Sequence, residues 1–225
     1  MLTSQELIPL GLDDPFQFEC HQKVPCFNQC CQNLNQALTP YDVLRLKQHL
    51  GLTAQEFTRR FATLYTGPAI GLPVVSLRFA QGGKGSCPFV TPSGCRVYPA
   101  RPSSCRIYPL ARALHRSRAD GRLSEHYALL QEPHCRGFEQ HRSQTVRQWI
   151  ASQDLATYHQ MNDRLLELIA LKNQLRPGEL DPEQRQWAQM AFYDLDTLRE
   201  KALANELPEM AHDHLLPLPD RKDEE

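Results

Sequence analysis

Eight cysteines constrain this chain of 225 residues more than any other feature of its sequence. They form a group of four, a group of three and one that stands alone: Cys20, Cys26, Cys30 and Cys31; Cys87, Cys95 and Cys105; and Cys135. No two of them are spaced as CxxC, so the chain lacks the paired knuckles of ordinary zinc ribbons and fingers. It also lacks the CxxCxxC run of ferredoxins and the C-x3-C-x2-C triplet of radical enzymes that use S-adenosylmethionine.

The setting of the cysteines favours metal ligands over disulfides. The N-terminal stretch before Cys20 carries Glu6, Asp13 and Asp14 and has no continuous apolar region, so it does not resemble a secretory signal. No apolar run approaches the roughly 20 residues of a membrane span. We therefore expect a cytoplasmic protein, and in that reducing compartment a cysteine framework is more often metal-binding than disulfide-bonded.

The charge balance excludes one broad class of partner. The chain has 25 Lys and Arg against 26 Asp and Glu, a formal net charge of −1, and a sequence pI of about 6.7. Neutralising a phosphate backbone needs an excess of clustered basic residues. We expect no nucleic-acid partner and no membrane partner, and a protein substrate or partner instead.

Eight thiolates allow two sites of four ligands each. These can be two tetrahedral zinc sites or two cubane iron–sulfur clusters, and both arrangements come to roughly −4 by formal counting. Because neighbouring side chains in extended chain point in different directions, Cys30 and Cys31 are better suited to two sites, or to two irons of one cluster, than to one ion. A single cluster on four of the cysteines is a further alternative, so spacing leaves iron and zinc open.

Four arginines accompany the cysteines. Arg96, Arg106 and Arg136 each directly follow a cysteine, and Arg101 lies between two of these positions. Guanidinium groups that donate to thiolate sulfur stabilise an anionic site and raise the potential of a cluster. We expect these four side chains to surround the ligands.

The pattern between the two cysteine groups predicts a pair of helices. Thr39 can cap a helix with Pro40 at its first position, and Gly51 can end it. Thr53 and Glu56 have the spacing of a capping box and predict the start of a second helix. Residues 73–80 are β-branched and partly alternating, which favours a short strand.

The rest of the chain predicts a mainly α protein. Residues 81–109 are rich in Gly, Pro and Ser and indicate loop with little regular structure. We expect a metal-organised, loop-rich cysteine module over 1–140 with at most a small β element. We expect an antiparallel helical hairpin over 141–207, broken at Pro177 and Gly178, and a charged, disordered tail over 208–225.

One stretch of sequence resembles a known family. The chain contains Cys26-x3-Cys30-Cys31, then LTPYDVLRLKQHLGLTAQEF, then CPF before a Gly-Cys, and the phrase GCRVYPARPSSCRIYP. Together they resemble the YkgJ-type cysteine-cluster family, known as the putative zinc- or iron-chelating domain, over roughly residues 18–140. The resemblance implies that all eight cysteines are metal ligands.

A relative of this family, the flagellin lysine N-methylase, is associated with an iron–sulfur cluster and S-adenosylmethionine. The leading expectation is therefore an iron–sulfur protein, with [4Fe–4S] chemistry, in protein modification or redox work. A structural zinc module that binds a partner is one alternative. A protein lysine methyltransferase that uses S-adenosylmethionine is another. The sequence identifies no catalytic residue.

Overall fold

The computed structural model describes residues 6–80, 85–116 and 122–207. The charged tail predicted at 208–225 lies outside these residues. Of the described residues 42% are helical and 23% are strand, and the strands form four small antiparallel sheets. The prediction of a mainly α protein with at most a small β element was therefore wrong.

The largest sheet joins distant parts of the chain. It contains β1 (Glu6–Leu10), β8 (Leu110–Arg116) and β9 (Leu123–Gln131), in the order β1–β9–β8. Glu6 lies opposite Gln131, so the first strand depends on a partner far along the chain. Such strands carry weak local patterns, because their hydrogen bonds come from a neighbour that short-range periodicity does not reveal.

A second sheet lies between the cysteine groups. It consists of β3 (Ala37–Leu38), β4 (Ala62–Thr66) and β5 (Pro73–Leu77), with β5 in the centre. The central strand falls within the predicted segment 73–80, which confirms that prediction. Its side chains are mostly buried, as expected for a strand with a partner on each side.

Two short ribbons complete the β structure. The strand β2 (Pro15–Gln17) pairs with β10 (Ser143–Thr145). The other ribbon, β6 (Val90–Thr91) and β7 (Gly94–Cys95), lies in a stretch that we expected to be irregular. Short helices follow it over Tyr98–Ala100 and, as α3, over Ser103–Ile107.

This cysteine-bearing stretch also has apolar anchors. Phe89 and Val97 are each only 1% exposed and belong to a core that includes Val43, Phe57 and Val75. Burial of such side chains contributes about 1.5–3 kcal/mol each. The region is therefore ordered in part by apolar packing, and metal binding adds to a scaffold that already exists.

The two predicted helices between the cysteine groups are confirmed. They are α1 (Pro40–Leu50) and α2 (Ala54–Phe61), and each begins with a capping box. Thr39 accepts the backbone N–H of Asp42, while the Asp42 carboxylate accepts that of Thr39 at 2.9 Å. Gly51 ends α1 with φ +64°, a conformation that favours glycine.

Four helices form the C-terminal region: α4 (Val146–Ser152), α5 (Ala156–Leu175), α6 (Pro182–Tyr193) and α7 (Leu195–Leu203). The predicted break at Pro177 and Gly178 is confirmed. The expected hairpin is not the main packing unit, because α5 and α6 each contact α1. Tyr158 packs edge-on against Tyr41 with ring centres 4.9 Å apart, and the Tyr193 hydroxyl donates to the Leu38 carbonyl.

The cysteines border two apolar cores. The first core, around α1, α2 and β5, has Cys87 and Cys95 at its edge. The second core, around Phe18, Leu110 and Val146, has Cys135 at its edge. Among the described helices, none has the length and apolarity that a membrane crossing needs.

A partly buried ion pair fastens α7 to the helices before it. The Lys47 Nζ donates to both oxygens of the Asp196 carboxylate at 2.7 and 2.6 Å, and the backbone N–H of Ala54 donates to the same carboxylate at 3.1 Å. These bonds hold the pKa of Asp196 below its ordinary value.

We expect this contact to weaken in acid. A depressed pKa in the folded state stabilises the fold above the pKa of the unfolded state, and this contribution is lost as the pH falls through the folded pKa. Because Asp196 is 44% exposed, the contribution is at most about 1 kcal/mol. Urea unfolding of wild type and Asp196→Asn should therefore differ at pH 7 and converge below about pH 3.

Glu200→Gln, an exposed carboxylate change on α7, is the matched control and should not differ from wild type at either pH. A difference between wild type and Asp196→Asn that is the same at both pH values would contradict the assignment.

Candidate metal centre

All eight cysteines are described, and each carries a free thiol. As whole residues, Cys20, Cys30 and Cys105 are exposed, Cys26 is buried and the other four are intermediate, yet the sulfur atoms of the three exposed residues are surrounded closely enough by protein to be desolvated. No pair is bonded as a disulfide. The side chains come from turns, a hairpin and a short helix, and the tertiary fold brings them into two thiol groups.

The first thiol group consists of Cys20, Cys26 and Cys135. The backbone N–H of Arg136 donates to the Cys26 Sγ at 3.1 Å, and the thiols of Cys26 and Cys135 interact directly. Burial raises the pKa of Cys20 to about 11, helped by the neighbouring Cys30, Cys26 and Cys135.

Backbone contacts hold the first thiol group in place. The N–H of Glu19, next to Cys20, donates to the Gly137 carbonyl at 3.1 Å. A Cβ on Gly137 would lie 2.5 Å from the Phe18 ring, so only glycine allows this approach. The segment before Cys20 and the segment after Cys135 are thus locked together.

The second thiol group consists of Cys87, Cys95 and Cys105. Cys95 is the last residue of the ribbon and lies opposite Val90. The N–H of Val90 donates to the Cys87 carbonyl, so the hairpin brings Cys87 and Cys95 close together. The short helix α3 supplies Cys105, whose Sγ lies 3.8 Å from the Gln36 Oε1. Burial raises the pKa of Cys105 to about 12, with contributions from the other thiols.

The adjacent pair Cys30 and Cys31 connects the two groups. It lies in a single helical turn over Gln29–Cys31, and the N–H of Cys87 donates to the Cys31 carbonyl at 2.9 Å. A direct interaction with the Cys31 thiol, together with burial, raises the pKa of Cys30. The charge of Cys30 in turn acts on Cys20 in the first group and on all three members of the second.

Arg96 and Arg101 lie near the second thiol group. Burial raises the pKa of the Cys95 thiol, and the charges of Arg101 and Arg96 act against this rise. The Arg101 guanidinium lies over the Tyr98 ring, 3.9 Å from its centre, and donates to the Tyr98 carbonyl at 2.7 Å. It also donates to the Gln153 side chain.

The other two arginines have other principal contacts. The Arg106 guanidinium donates to the carbonyls of Gln153 and Pro99 at 2.7 and 2.6 Å and lies over the Tyr158 ring. The Arg136 guanidinium forms an ion pair with Glu139 at 2.7 Å, while the backbone N–H of Arg136 donates to the Cys26 Sγ. These contacts place the guanidinium of Arg106 on α5 and leave that of Arg136 at the surface.

Sequence analysis did not single out Glu132, which lies beside Cys135 together with Tyr108. The Tyr108 hydroxyl is buried and makes no hydrogen bond of ordinary geometry with the part of the chain described. Burial raises the pKa of Tyr108, and the Cys135 thiol and Glu132 carboxylate beside it act in the same direction. Glu132 lies three residues before Cys135 in the sequence, and this short separation could have indicated that its carboxylate lies near the thiol.

A comparison with protein families identifies the chain. The family named CxxCxxCC, described as a putative zinc- or iron-chelating domain, matches residues 19–163. This range covers well over half of the chain and includes all eight cysteines. The chain belongs to this family. The resemblance seen in the sequence is thereby confirmed, and zinc or iron chelation is its function at the level of the family.

The cysteine spacing of this chain differs from the CxxCxxCC pattern after which the family is named. Its first four cysteines are separated by five and by three residues before the adjacent pair, so only the closing CC is retained. A comparison with curated proteins found no match, and neither did one with solved structures.

The donor set fits a thiolate-bound metal of the kind that the family implies. Eight free thiols lie in two neighbouring groups, and the buried Tyr108 hydroxyl lies beside the Cys135 thiol at the edge of one group. Within the described ranges, however, no three Cys, His, Asp or Glu side chains are arranged to hold one metal ion. The thiols are thus gathered without converging on a single point.

Proposed function

We propose that the eight cysteines hold iron–sulfur clusters of the [4Fe–4S] type and that the chain uses them in redox chemistry or in modification of a protein substrate. Each thiol group would supply three ligands, and Cys30 and Cys31 would supply the fourth ligand of each cluster. What supports the proposal is that Cys20 interacts with Cys26 and Cys135, that Cys105 interacts with Cys87 and Cys95, and that Cys30 acts on both sets.

The spacing of the thiols favours a cluster over a single ion. Four thiolates around one zinc ion, at Zn–S of about 2.3 Å, must approach each other to about 3.8 Å. No three side chains in the described part of the chain are placed to do this. A cubane puts its own iron and sulfide between the thiolates, so its ligands stand farther apart.

The groups around the thiols suit an anionic centre. Two oxidised clusters with eight thiolates carry roughly −4 by formal counting. The N–H of Arg136 already donates to Cys26, and the charges of Arg96 and Arg101 act on Cys95. Donors of this kind stabilise bound thiolates and raise the potential of a cluster.

The side chains prepare the site in two further ways. The raised pKa values of Cys20 and Cys105, about 11 and 12, keep these thiols protonated at neutral pH in the empty site, so binding must release protons. Tyr108 offers its hydroxyl to Cys135 once that sulfur is a thiolate. The bound clusters would supply one-electron transfer, and a reducing compartment such as the cytoplasm would keep the empty thiols free.

The decisive experiment is anaerobic purification followed by iron, acid-labile sulfide and zinc analysis. We expect about eight iron and about eight sulfide per chain, with a broad visible absorption that bleaches on reduction. Stoichiometric zinc without sulfide would contradict the proposal and favour a structural zinc module.

A further inference from the structure

We infer that three arginines arranged around Phe61 form a docking face for an acidic segment of a partner protein. This arginine face consists of Arg60, Arg78 and Arg96, and it lies beside the second thiol group. The inference goes beyond the proposed function, because the face exists whichever metal the cysteines hold.

The three guanidinium groups are held in place by aromatic rings and backbone. The Arg60 guanidinium carbon lies 5.1 Å from the centre of the Phe61 ring, and that of Arg96 lies 5.5 Å from it. Arg96 also lies 5.3 Å from the Phe89 ring centre. The backbone N–H of Arg78 donates to the Phe61 carbonyl at 2.8 Å, and its guanidinium donates to the carbonyls of Arg59 and Ala62.

The positive charge of this face has no carboxylate partner among the residues that the structure describes. In the described part of the chain, none of the three forms an ion pair with a carboxylate. The carboxylate of Glu56, on which the Arg60 charge acts, is committed to the capping box of α2. Arg112, in contrast, is bound by both Glu125 and Asp163.

Stacking and exposure together suit this face to recognition. All three arginines are exposed, although the chain has as many acidic residues as basic ones with which to pair them. A guanidinium that is stacked on a ring is already ordered, so it loses less freedom when it forms paired hydrogen bonds with a carboxylate. Charge complementarity therefore points to glutamate and aspartate side chains.

The face continues into a cleft that reaches the cysteines. Both Arg78 and Cys87 line an open cleft of about 660 Å³, together with Phe79 and Val90. Arg96 directly follows Cys95, and its N–H donates to the Phe89 carbonyl at 3.0 Å. A segment bound on the face would thus lie against the second thiol group.

The mixed character of this surface favours a protein over a nucleic acid. Beside the arginines, most of the cleft is apolar, with Phe79, Pro88 and Val90 among its walls. An acidic peptide with apolar side chains can use both parts. A nucleic acid requires more extended positive charge, which a chain of net charge −1 does not offer.

The test uses the full chain and a short fluorescein-labelled peptide of glutamates and leucines. We expect saturable binding by fluorescence anisotropy that weakens with added salt. The variant Arg60→Gln/Arg96→Gln should bind about tenfold more weakly or worse. The control variant Arg164→Gln/Arg199→Gln changes the net charge equally at exposed positions on α5 and α7 and should stay within about twofold of wild type.

A second variant keeps both stacked arginines. Pro92→Glu places a negative charge on the rim of the cleft and should also weaken binding of the peptide by several fold. A photoreactive form of the peptide should cross-link to residues 60–61, 78–80 or 86–92.

Three results would overturn the inference. The first is equal weakening in the arginine-face and control variants, because it would indicate unspecific charge attraction. The second is failure of the peptide to bind or to cross-link at the face. The third is tighter binding of a single-stranded oligonucleotide of equal charge, because it would indicate a nucleic-acid surface instead. Absence of iron and sulfide from the purified wild-type protein, by contrast, would contradict the proposed clusters but would not affect the binding of the peptide to the arginine face.

Discussion

Replacing Cys30 and Cys31 together with serine should strip metal from both thiol groups, whereas replacing Cys20 or Cys105 should empty only one. In the proposed arrangement each member of the adjacent pair completes one cluster, whereas Cys20 and Cys105 each belong to a single group. We expect about half of the wild-type iron and sulfide in Cys20→Ser and in Cys105→Ser, and below about a quarter in Cys30→Ser/Cys31→Ser.

The measurement is iron and sulfide per chain after anaerobic purification. Ser124→Ala, which removes a hydroxyl on the surface of β9, serves as the control and should retain full loading. Equal loss of iron in all three cysteine variants would contradict a division into two groups. It would indicate one cluster, or one linked centre.

Removing the metal from the wild type should lower its thermal midpoint by at least about 10 °C. Metal bound by thiolates in small domains contributes apparent free energies of roughly 10–16 kcal/mol to folding, and even about a third of that shifts the midpoint this far in a chain of this size. The reason is that metal–thiolate bonds would add to the hydrogen bonds that already join the segments around 20–31 and 87–105, from Gln22 to Ser93, from Asn28 to Thr91 and from Cys87 to Cys31.

The effect should be local as well as large. Phe89 and Val97 stay buried in the first core, so hydrogen exchange should rise mainly in the cysteine-bearing turns, while α1 keeps its protection. The variant Cys20→Ser/Cys105→Ser, which should bind little metal, is the control and should not respond to the chelator. An unchanged midpoint in fully demetallated wild type would show that the apolar cores alone order the region.

The predictions that were confirmed depend on interactions of short range in the sequence. The capping boxes of α1 and α2 each involve residues three positions apart, Thr39 with Asp42 and Thr53 with Glu56, so the sequence contains both partners side by side. The predicted break before α6 has the same origin, because proline and glycine act on the backbone where they stand.

The predictions that were wrong depend on distant partners. The strand β1 exists because β9 lies beside it, and the ribbon β6–β7 exists because Phe89 and Val97 anchor its ends in a core. Neither reason is visible in a local window. The helices after α4 were predicted, but their packing against α1 depends on contacts such as Tyr41 with Tyr158.

The sequence by itself determined the family, the set of eight thiols and the absence of CxxC pairs, because number, type and spacing of residues are linear properties. Only the tertiary structure decided which thiols lie together, and it added the Tyr108 hydroxyl and the Glu132 carboxylate to one group and the arginine face beside the other. These contacts join segments that are far apart in the chain, and the two cores and the β sheets that bring them together act across those distances.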